Sequence, residues 1–204
     1  KSMMPKRSSH RNGKRIACIG AGPSSLTVAR DLAPLGYEVT VFDRDHRPGG
    51  MIWSQIPRFR LPMEVIDEEV GYILDLGVRF EQRHVESMKA MLEERFDAIF
   101  VGTGAPKGRD LDLPGRSEAS ANIHVGIQWL ASVSFGHREQ IGSRVIVLGG
   151  GNTAMDCCRT ARRLGGEDVK VIVRSGFEEM KASPWEKEDA MHEGIPILNY
   201  LVPT

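Results

Sequence analysis

Two glycine-rich segments carry the residues of this 204-residue sequence whose types and spacing suit the binding of a phosphorylated cofactor. The first reads Gly20-Ala-Gly-Pro-Ser-Ser25 and the second Gly149-Gly-Gly-Asn-Thr-Ala154, each between a short β-rich run and a helical pattern. A glycine turn between a strand and a helix lets a pyrophosphate approach the backbone, where the helix N-terminus offers N–H groups and a positive dipole. Both segments therefore predict dinucleotide-binding sites.

The first segment has the wider context that such a site requires. Asp43 ends the next β-rich run, where its carboxylate is placed to accept hydrogen bonds from ribose hydroxyls. Ser25 stands in place of the third glycine, and a side chain of this size still permits close packing of helix on strand. The alternative interpretation is a glycine turn that binds no ligand.

Two later motifs favour FAD over NAD at this first site. Gly49 and Gly50 follow the second β-rich run, where flavoproteins place a glycine pair against the extended cofactor. The segment from Asp97 to Gly104 resembles the D-x-x-x-x-A-T-G signature of two-dinucleotide flavoproteins, with Gly102 where alanine is usual. The predicted FAD contacts are Gly20, Gly22, Pro23, Ser24, Ser25, Asp43, Arg44, Gly49, Gly50, Met51, Val85, Thr103 and Gly104.

The second glycine segment is followed by a strand that ends on a basic residue, Arg174, with Lys181 a short distance beyond. An acidic side chain at that position would repel a 2′-phosphate, whereas a guanidinium binds one through two hydrogen bonds. This favours NADP(H) over NAD(H); the alternative is that Arg174 is a solvated charge. The predicted contacts are Gly149, Gly150, Gly151, Asn152, Thr153, Ala154, Arg174, Ser175 and Lys181.

Alternating strand and helix patterns surround both glycine segments. Apolar runs predict strands at 15–19, 38–42, 78–80, 98–101, 144–148, 169–173 and 197–201. Helical patterns fall at 23–35, 62–76, 123–134 and 152–164, with a short helix before the fourth strand. Such alternation is typical of a parallel α/β architecture, here with two Rossmann-like dinucleotide-binding units. The expected organisation is a basic tail or linker at 1–13, an FAD-binding domain at 14–140 and an NAD(P)H-binding domain at 141–204.

Charge and composition exclude several other classes of function. Lys and Arg together number 27, as do Asp and Glu, so no global field recruits nucleic acid or an anionic membrane. No apolar run approaches the roughly 18 residues of a membrane helix, and we expect a cytoplasmic protein. The six histidines lack metal-ligand spacing, so no metal site is predicted. Glu186-Lys-Glu-Asp189 is interpreted as a solvated helix face rather than a carboxylate pair.

Several motifs occur together in an order that resembles one known family. They are Gly20-Ala-Gly-Pro23, the Gly49–Gly50 pair, Ile56-Pro-Arg-Phe-Arg-Leu-Pro62, Thr103-Gly104 and Gly149-Gly-Gly-Asn-Thr-Ala-Met-Asp156. Together they resemble the glutamate synthase small (beta) subunit family, which also includes the flavin region of dihydropyrimidine dehydrogenase. The resemblance implies a two-dinucleotide flavoprotein fold. It further implies electron transfer between NADPH, FAD and the iron–sulfur clusters of a partner domain or subunit outside this chain.

The resemblance also assigns roles to single residues. It implies that Arg60 contacts FAD, that Thr153 lies at the NADP pyrophosphate, and that Arg174 and Lys181 lie by the 2′-phosphate. The family tends to have a second basic residue at the strand end, where this sequence has Ser175. Family members also continue well past the second unit, so we expect the chain to be truncated at its C-terminus and to bind FAD weakly.

The chemistry that the two sites predict does not require catalytic side chains. Hydride transfer between nicotinamide and flavin needs no acid, base or nucleophile from side chains, so no catalytic residue is predicted. A thiol-dependent reductase of the same fold is an alternative, which the absence of a C-x-x-C motif among the three cysteines opposes. A non-catalytic nucleotide-binding or assembly module of a larger redox complex is a further alternative.

Overall fold

The computed structural model describes residues 5–111 and 114–204, so Lys1 of the predicted basic tail lies outside the described residues. The chain divides into two compact units, of which the first ends at Ala105 and the second begins at Pro106. Within the described residues, every helix is too short or too polar to cross a membrane.

The first unit is a parallel sheet with helices. Its strands are β1 (Arg15–Ile19), β2 (Glu38–Asp43), β3 (Arg79–Gln82) and β4 (Ala98–Val101). Its helices are α1 (Pro23–Leu32), α2 (Met51–Gln55), α3 (Met63–Asp75) and α4 (Met88–Glu93). The four strands lie in the order β3-β2-β1-β4, and every neighbouring pair is parallel.

Strand β1 lies at the centre of this sheet, and it delivers the chain to the first glycine turn. Ile16 pairs with Val39 on one side and with Ala98 on the other. Ala17 and Cys18 are fully buried, as expected for a strand that is covered on both faces and reads as one continuous apolar run. Helix α1 then begins at Pro23, whose missing N–H costs nothing in the first turn of a helix.

The second unit repeats the parallel arrangement with three strands. They are β5 (Arg144–Leu148), β6 (Asp168–Val173) and β7 (Ile197–Asn199), in that order across the sheet. The helices are α5 (Gly126–Ser134), α6 (Asn152–Arg163) and α7 (Pro184–His192). Together with the first unit, these elements confirm the predicted α/β fold class with parallel sheets.

The division between the compact units differs from the predicted boundary after residue 140. Residues 106–140 belong to the second unit because α5 contributes to its core. Trp129 and Leu130 are buried in the same apolar cluster as Met155 and Cys158 of α6. The apolar face of a helix must pack against a partner, and the partner of α5 is α6.

Two segments near the first sheet are more ordered than the sequence predicts. Helix α2 lies between Gly50 and Pro62, where the sequence pattern predicts neither a helix nor a strand. Part of the predicted solvated tail is held against the first unit, since the Asn12 N–H donates to the Gly36 carbonyl oxygen at 3.1 Å. The Arg11 guanidinium also donates to Glu38 at 2.6 Å.

Helix α7 corrects the expectation that Glu186–Asp189 is a solvated face. Glu186 and Lys187 are only 4% and 6% exposed, because α7 packs on α6. The buried Arg159 guanidinium on α6 lies 3.0 Å from Glu186, 3.1 Å from Asp189 and 3.0 Å from Glu193. The charged run therefore joins two helices through a partly buried ion-pair network.

Replacing Arg159 by methionine removes the buried positive charge that lies beside all three carboxylates, whereas Arg163 at the surface still contacts Glu193. Deleting one side of a buried ion pair costs about 3–5 kcal/mol. We expect Arg159→Met to lower the free energy of unfolding by about that amount, and urea denaturation followed by circular dichroism measures the loss.

Arg163→Met is the matched control for this variant. The Arg163 guanidinium bonds the same Glu193, but its side chain is 43% exposed. An exposed ion pair contributes about 0–1 kcal/mol, so the control should unfold near the wild-type midpoint. Equal losses in the two variants would contradict the assignment of Arg159 as the buried anchor of α7.

Candidate dinucleotide-binding sites

The first glycine of the first turn is required by the fold itself. Gly20 has a φ of 89°, in the left-handed region that favours glycine. Its N–H donates to the Phe42 carbonyl oxygen at 2.7 Å, and a methyl group in place of its hydrogen would overlap the carbonyl oxygen of Gly102. A side chain at this position would push the turn after β1 away from the segment that follows β4.

The second glycine, Gly22, is different, because neither its backbone angles nor any neighbouring atom of the described residues requires a glycine there. Its φ of −78° and ψ of 178° are ordinary extended values that any residue adopts. A methyl group built there would meet no atom within 4 Å, and no side chain caps α1. Open space in front of an uncapped helix N-terminus is what a pyrophosphate needs, so the residues present fit that group.

Three sequence-predicted segments converge on this open space. The Gly49 N–H donates to the Ala21 carbonyl oxygen at 2.8 Å, and a methyl group on Gly50 would lie 2.7 Å from the Cα atom of Gly22. The Cα atom of Thr103 lies 3.1 Å from the point that a Cβ on Gly20, at the start of the same turn, would occupy. The structure therefore brings the predicted glycine turn, glycine pair and Thr103–Gly104 segment together at the carboxyl edge of the sheet.

Asp43 has a structural role that the sequence did not reveal. Its Oδ2 atom accepts a hydrogen bond from the Ala21 N–H at 2.6 Å, and its Oδ1 atom accepts one from the Asp45 N–H at 3.0 Å. A carboxylate oxygen can accept more than one hydrogen bond. Asp43 thus braces the glycine turn and keeps acceptor capacity for a ligand hydroxyl.

The remaining predicted FAD contacts lie at varied distances from the turn. Met51 begins α2, and its Sδ atom lies 3.9 Å from the point that a Cβ on Gly104 would occupy. Val85 packs against an apolar cluster that contains Ile19 and Phe42, the residues before the turn and before Asp43. Arg44 is exposed beside Asp45, and Arg60 is exposed in the turn that follows Pro57.

The two departures from the usual motifs, Ser25 and Gly102, form one contact. Ser25 is fully buried, and a methyl group on Gly102 would overlap its Oγ atom. Within the described part of the chain, that Oγ atom has no hydrogen-bond partner. The serine in place of the third glycine thus occupies the volume that the usual alanine of the later motif would fill.

The second glycine turn has the same construction as the first. The Gly149 N–H donates to the Ile172 carbonyl oxygen at 3.0 Å, which ties the turn to β6. Gly151 has ordinary φ and ψ values of −102° and 173°, and a methyl group there would meet no atom within 4 Å. Open space again lies before an uncapped helix, here the N-terminus of α6.

The segment after β6 is held against this second turn. The Ala182 N–H donates to the Gly150 carbonyl oxygen at 2.9 Å, and the Ser183 N–H donates to Oδ1 of Asn152 at 2.8 Å. These bonds keep the exposed Lys181 beside the glycine turn, while Arg174 is exposed at the end of β6. Ser183 is a site residue that the sequence did not indicate, since its partner is distant in the chain.

The cysteines offer no reactive thiol. Burial raises the pKa of the Cys18 thiol to about 11 and those of Cys157 and Cys158 to about 12. All three are free and buried, and a thiolate is the form that attacks a disulfide. The structure therefore opposes the alternative of a thiol-dependent reductase that uses these residues.

The sequence profile of the pyridine nucleotide-disulphide oxidoreductase family matches residues 14–200. This chain belongs to that family. Membership places it among the flavin-dependent NAD(P)H oxidoreductases and implies the binding of FAD and NAD(P), in agreement with the open space at Gly22 and Gly151.

Curated relatives of this chain confirm the resemblance to the glutamate synthase small-subunit family. The chain is 35% identical to the glutamate synthase [NADPH] small chain of Azospirillum brasilense, over 95% of this chain and 43% of the relative. It is also 35% identical to the NADP(+)-dependent formate dehydrogenase subunit beta of Moorella thermoacetica, over 94% of this chain and 27% of the relative. The chain thus spans less than half of either relative.

A solved structure shows the same fold. Thioredoxin reductase from Lactococcus lactis superimposes with a TM-score of 0.66 at 21% identity, over 94% of this chain and 66% of that one.

The contact between Ser25 and Gly102 predicts a paired dependence in stability. Gly102→Ala should destabilise the protein by about 1–3 kcal/mol, because the added methyl overlaps the Ser25 Oγ atom in a packed region. Adding Ser25→Gly should recover part of that loss, although glycine is itself unfavourable within a helix. Urea denaturation of the wild type, both single variants and the double variant measures the coupling; additive losses would refute the shared volume.

Proposed function

We propose that this chain holds FAD at its first glycine turn and NADP(H) at its second, as part of an oxidoreductase resembling the glutamate synthase small subunit. Electrons would pass between NADPH and FAD, and on to iron–sulfur clusters of a partner domain or subunit. The observation that carries this proposal is the open space at Gly22 and Gly151, each before an uncapped helix N-terminus. A Cβ atom at either position would meet no neighbouring atom, and a dinucleotide bound at each turn would account for the glycine.

The neighbours of each turn support the order of the two cofactors. Asp43, the Gly49–Gly50 pair and Thr103–Gly104 surround the first turn, and the extended FAD molecule suits a site with three contributing segments. The second turn has an exposed arginine and an exposed lysine nearby and no acidic residue at the end of β6. That charge pattern suits the 2′-phosphate of NADP(H).

When bound, FAD supplies the redox chemistry, and the side chains of this protein bind and orient the cofactors. In the first unit, the backbone of the Gly20–Ser25 turn would hold the FAD pyrophosphate, and Asp43 would accept from a ribose hydroxyl. In the second unit, the Gly149–Ala154 turn would hold the NADP pyrophosphate, and Arg174, Ser175 and Lys181 would lie by the 2′-phosphate.

An electron-accepting partner is the remaining part of the proposal. Its support is that the two named relatives are a small chain and a beta subunit of larger redox enzymes. The acceptor that we propose is an iron–sulfur domain or subunit.

The FAD site is tested by Gly22→Val, because the new side chain would fill the open space and meet no neighbouring atom at its Cβ position. We expect this variant to lose FAD binding, whereas its stability should change by about 1 kcal/mol or less, as for other helix N-cap substitutions. Isothermal titration calorimetry with FAD and thermal unfolding give the two quantities.

Gly142→Val is the matched control, since that glycine also has open space around it but lies in an exposed segment before β5. It should bind FAD as the wild type does. FAD affinity of Gly22→Val equal to that of the control would refute the assignment of the first turn.

The second site is tested by Arg174→Ala. If the guanidinium holds the 2′-phosphate, the charge-assisted contact is worth about 1.5–3 kcal/mol, or roughly one to two orders of magnitude in NADPH affinity. NADH lacks the 2′-phosphate and should bind with little change. Dissociation constants of both nucleotides for wild type and variant give the selectivity.

Arg144→Ala serves as the matched control, because Arg144 is an exposed arginine at the opposite end of its strand from the glycine turn. It should leave both affinities unchanged. An equal loss for NADPH and NADH in Arg174→Ala would show that Arg174 is a structural charge.

A further inference from the structure

A group of charged side chains surrounds Trp53 of α2, immediately beside the first glycine turn. We call Arg47, Trp53, Arg58 and Asp67 the Trp53 cluster. The Trp53 side chain is 5% exposed, and the Cζ atom of Arg58 lies 4.7 Å from its ring centroid. The Cζ atom of Arg47 lies 5.7 Å from the same centroid. Two guanidinium groups thus share one aromatic ring.

The Trp53 cluster contains one carboxylate and two guanidinium groups, and the carboxylate of Asp67 is hydrogen-bonded to Arg47. The Nη1 atom of Arg47 donates to both oxygens of Asp67, at 3.3 and 3.1 Å. The Nη1 and Nη2 atoms of Arg58 are both buried and have no hydrogen-bond partner within the described residues. The Nη1 and Nη2 ends of the half-buried Arg58 side chain therefore lie against the face of an indole ring, and the Asp67 charge near them is already hydrogen-bonded to Arg47.

Such an arrangement is unfavourable for the protein alone. A charged group that leaves water needs both an opposite charge and acceptors for its N–H groups. Burial lowers the pKa of Arg58, and the neighbouring charge of Arg47 lowers it further, while Asp67 acts in the opposite direction. An anion at Nη1 and Nη2 would supply both missing interactions.

The position of the Trp53 cluster indicates which anion that is. A methyl group on Gly49 would lie 2.8 Å from the Cβ atom of Trp53, and one on Gly50 would lie 2.7 Å from the Cα atom of Gly22. Trp53 is therefore packed on Gly49, whose neighbour Gly50 borders the open space before α1. The anionic part of a dinucleotide at that turn is its diphosphate.

We propose that Arg58 donates hydrogen bonds through Nη1 and Nη2 to the diphosphate of the FAD held at the first glycine turn. This inference rests on the proposed function, since it takes FAD to be the ligand of that turn. It adds a binding residue that is distinct from Arg60, whose side chain is exposed. The two arginines of the Ile56–Pro62 segment would then have different roles.

The test is Arg58→Met, because methionine keeps much of the aliphatic stem and removes the charge. FAD affinity should fall roughly ten- to hundredfold, the range for a lost charge-assisted contact. The ligand-free variant should melt at the wild-type temperature or above it, since an unpaired buried charge has been removed. Calorimetry with FAD measures the loss of affinity, and thermal unfolding measures the stability of the ligand-free protein. Loss of a purely structural arginine would not combine weaker FAD binding with an unchanged or higher melting temperature.

Arg47→Met is the matched control, since Arg47 contacts the same ring but is already paired with Asp67. Its FAD affinity should fall less than that of Arg58→Met; equal losses would indicate a general field effect and overturn the proposal. A lower melting temperature of ligand-free Arg58→Met with unchanged FAD affinity would equally overturn it. Arg58 would then be a packing residue on Trp53.

Two further ligands identify the anion. Riboflavin lacks the diphosphate, so Arg58→Met should not weaken it; an equal loss for riboflavin and FAD would overturn the diphosphate assignment. In another contrary outcome, inorganic phosphate raises the melting temperature of the wild type as much as FAD does, and fails to raise that of Arg58→Met. That result would show an anion site independent of the dinucleotide and would also overturn the proposal. Absence of FAD binding by the wild type would instead refute the proposed function, so the two failures are distinguishable.

Discussion

Both glycine turns leave a volume free of side chains at the N-terminus of a helix. A helix N-terminus offers unpaired N–H groups and a partial positive charge, which a phosphate group satisfies. Gly20 shapes the first turn through its left-handed backbone, while Gly22 leaves the space open. In the second unit, Gly149 has the positive φ that shapes the turn, and Gly151 leaves the space open. The buried central strand β1, paired with β2 and β4, leads directly into the first turn.

The sequence correctly predicts strands and helices where the local residue pattern and the tertiary structure favour the same element. Strands β1 and β5 are short apolar runs that end at a glycine, and helices α1 and α6 follow them directly. Helix α2 was missed because five residues after two glycines hold too little periodicity to distinguish a helix from a loop. The different tasks of Gly20 and Gly22 could not be predicted either. They are the same residue type within one motif, and only backbone angles and neighbouring atoms separate them.

The other differences depend on residues that are distant in the sequence. A run of charges such as Glu186–Asp189 is typical of a solvated surface, and its partner Arg159 reaches it only through the packing of α6 on α7. Ser25 and Gly102 each depart from a usual motif, and in the sequence these departures are unrelated. In the structure, the Ser25 Oγ atom occupies the space that a side chain at Gly102 would need. Lys181 was predicted from its charge, whereas the bond from Ala182 to Gly150 that holds its segment in place required the fold.

We propose that the two glycine turns bind two different nucleotides, and residue-resolved NMR can observe both turns in one experiment. Amide chemical shifts of the isotope-labelled chain would be followed during separate titrations with FAD and with NADPH, which detects weak binding as well as tight binding. We expect FAD to shift amides of Gly20–Ser25 and Gly49–Met51, and NADPH to shift those of Gly149–Ala154 and Arg174–Lys181. Two results would contradict this assignment of the nucleotides. In one, both nucleotides shift the amide signals of the same turn; in the other, neither nucleotide shifts the signals of either turn.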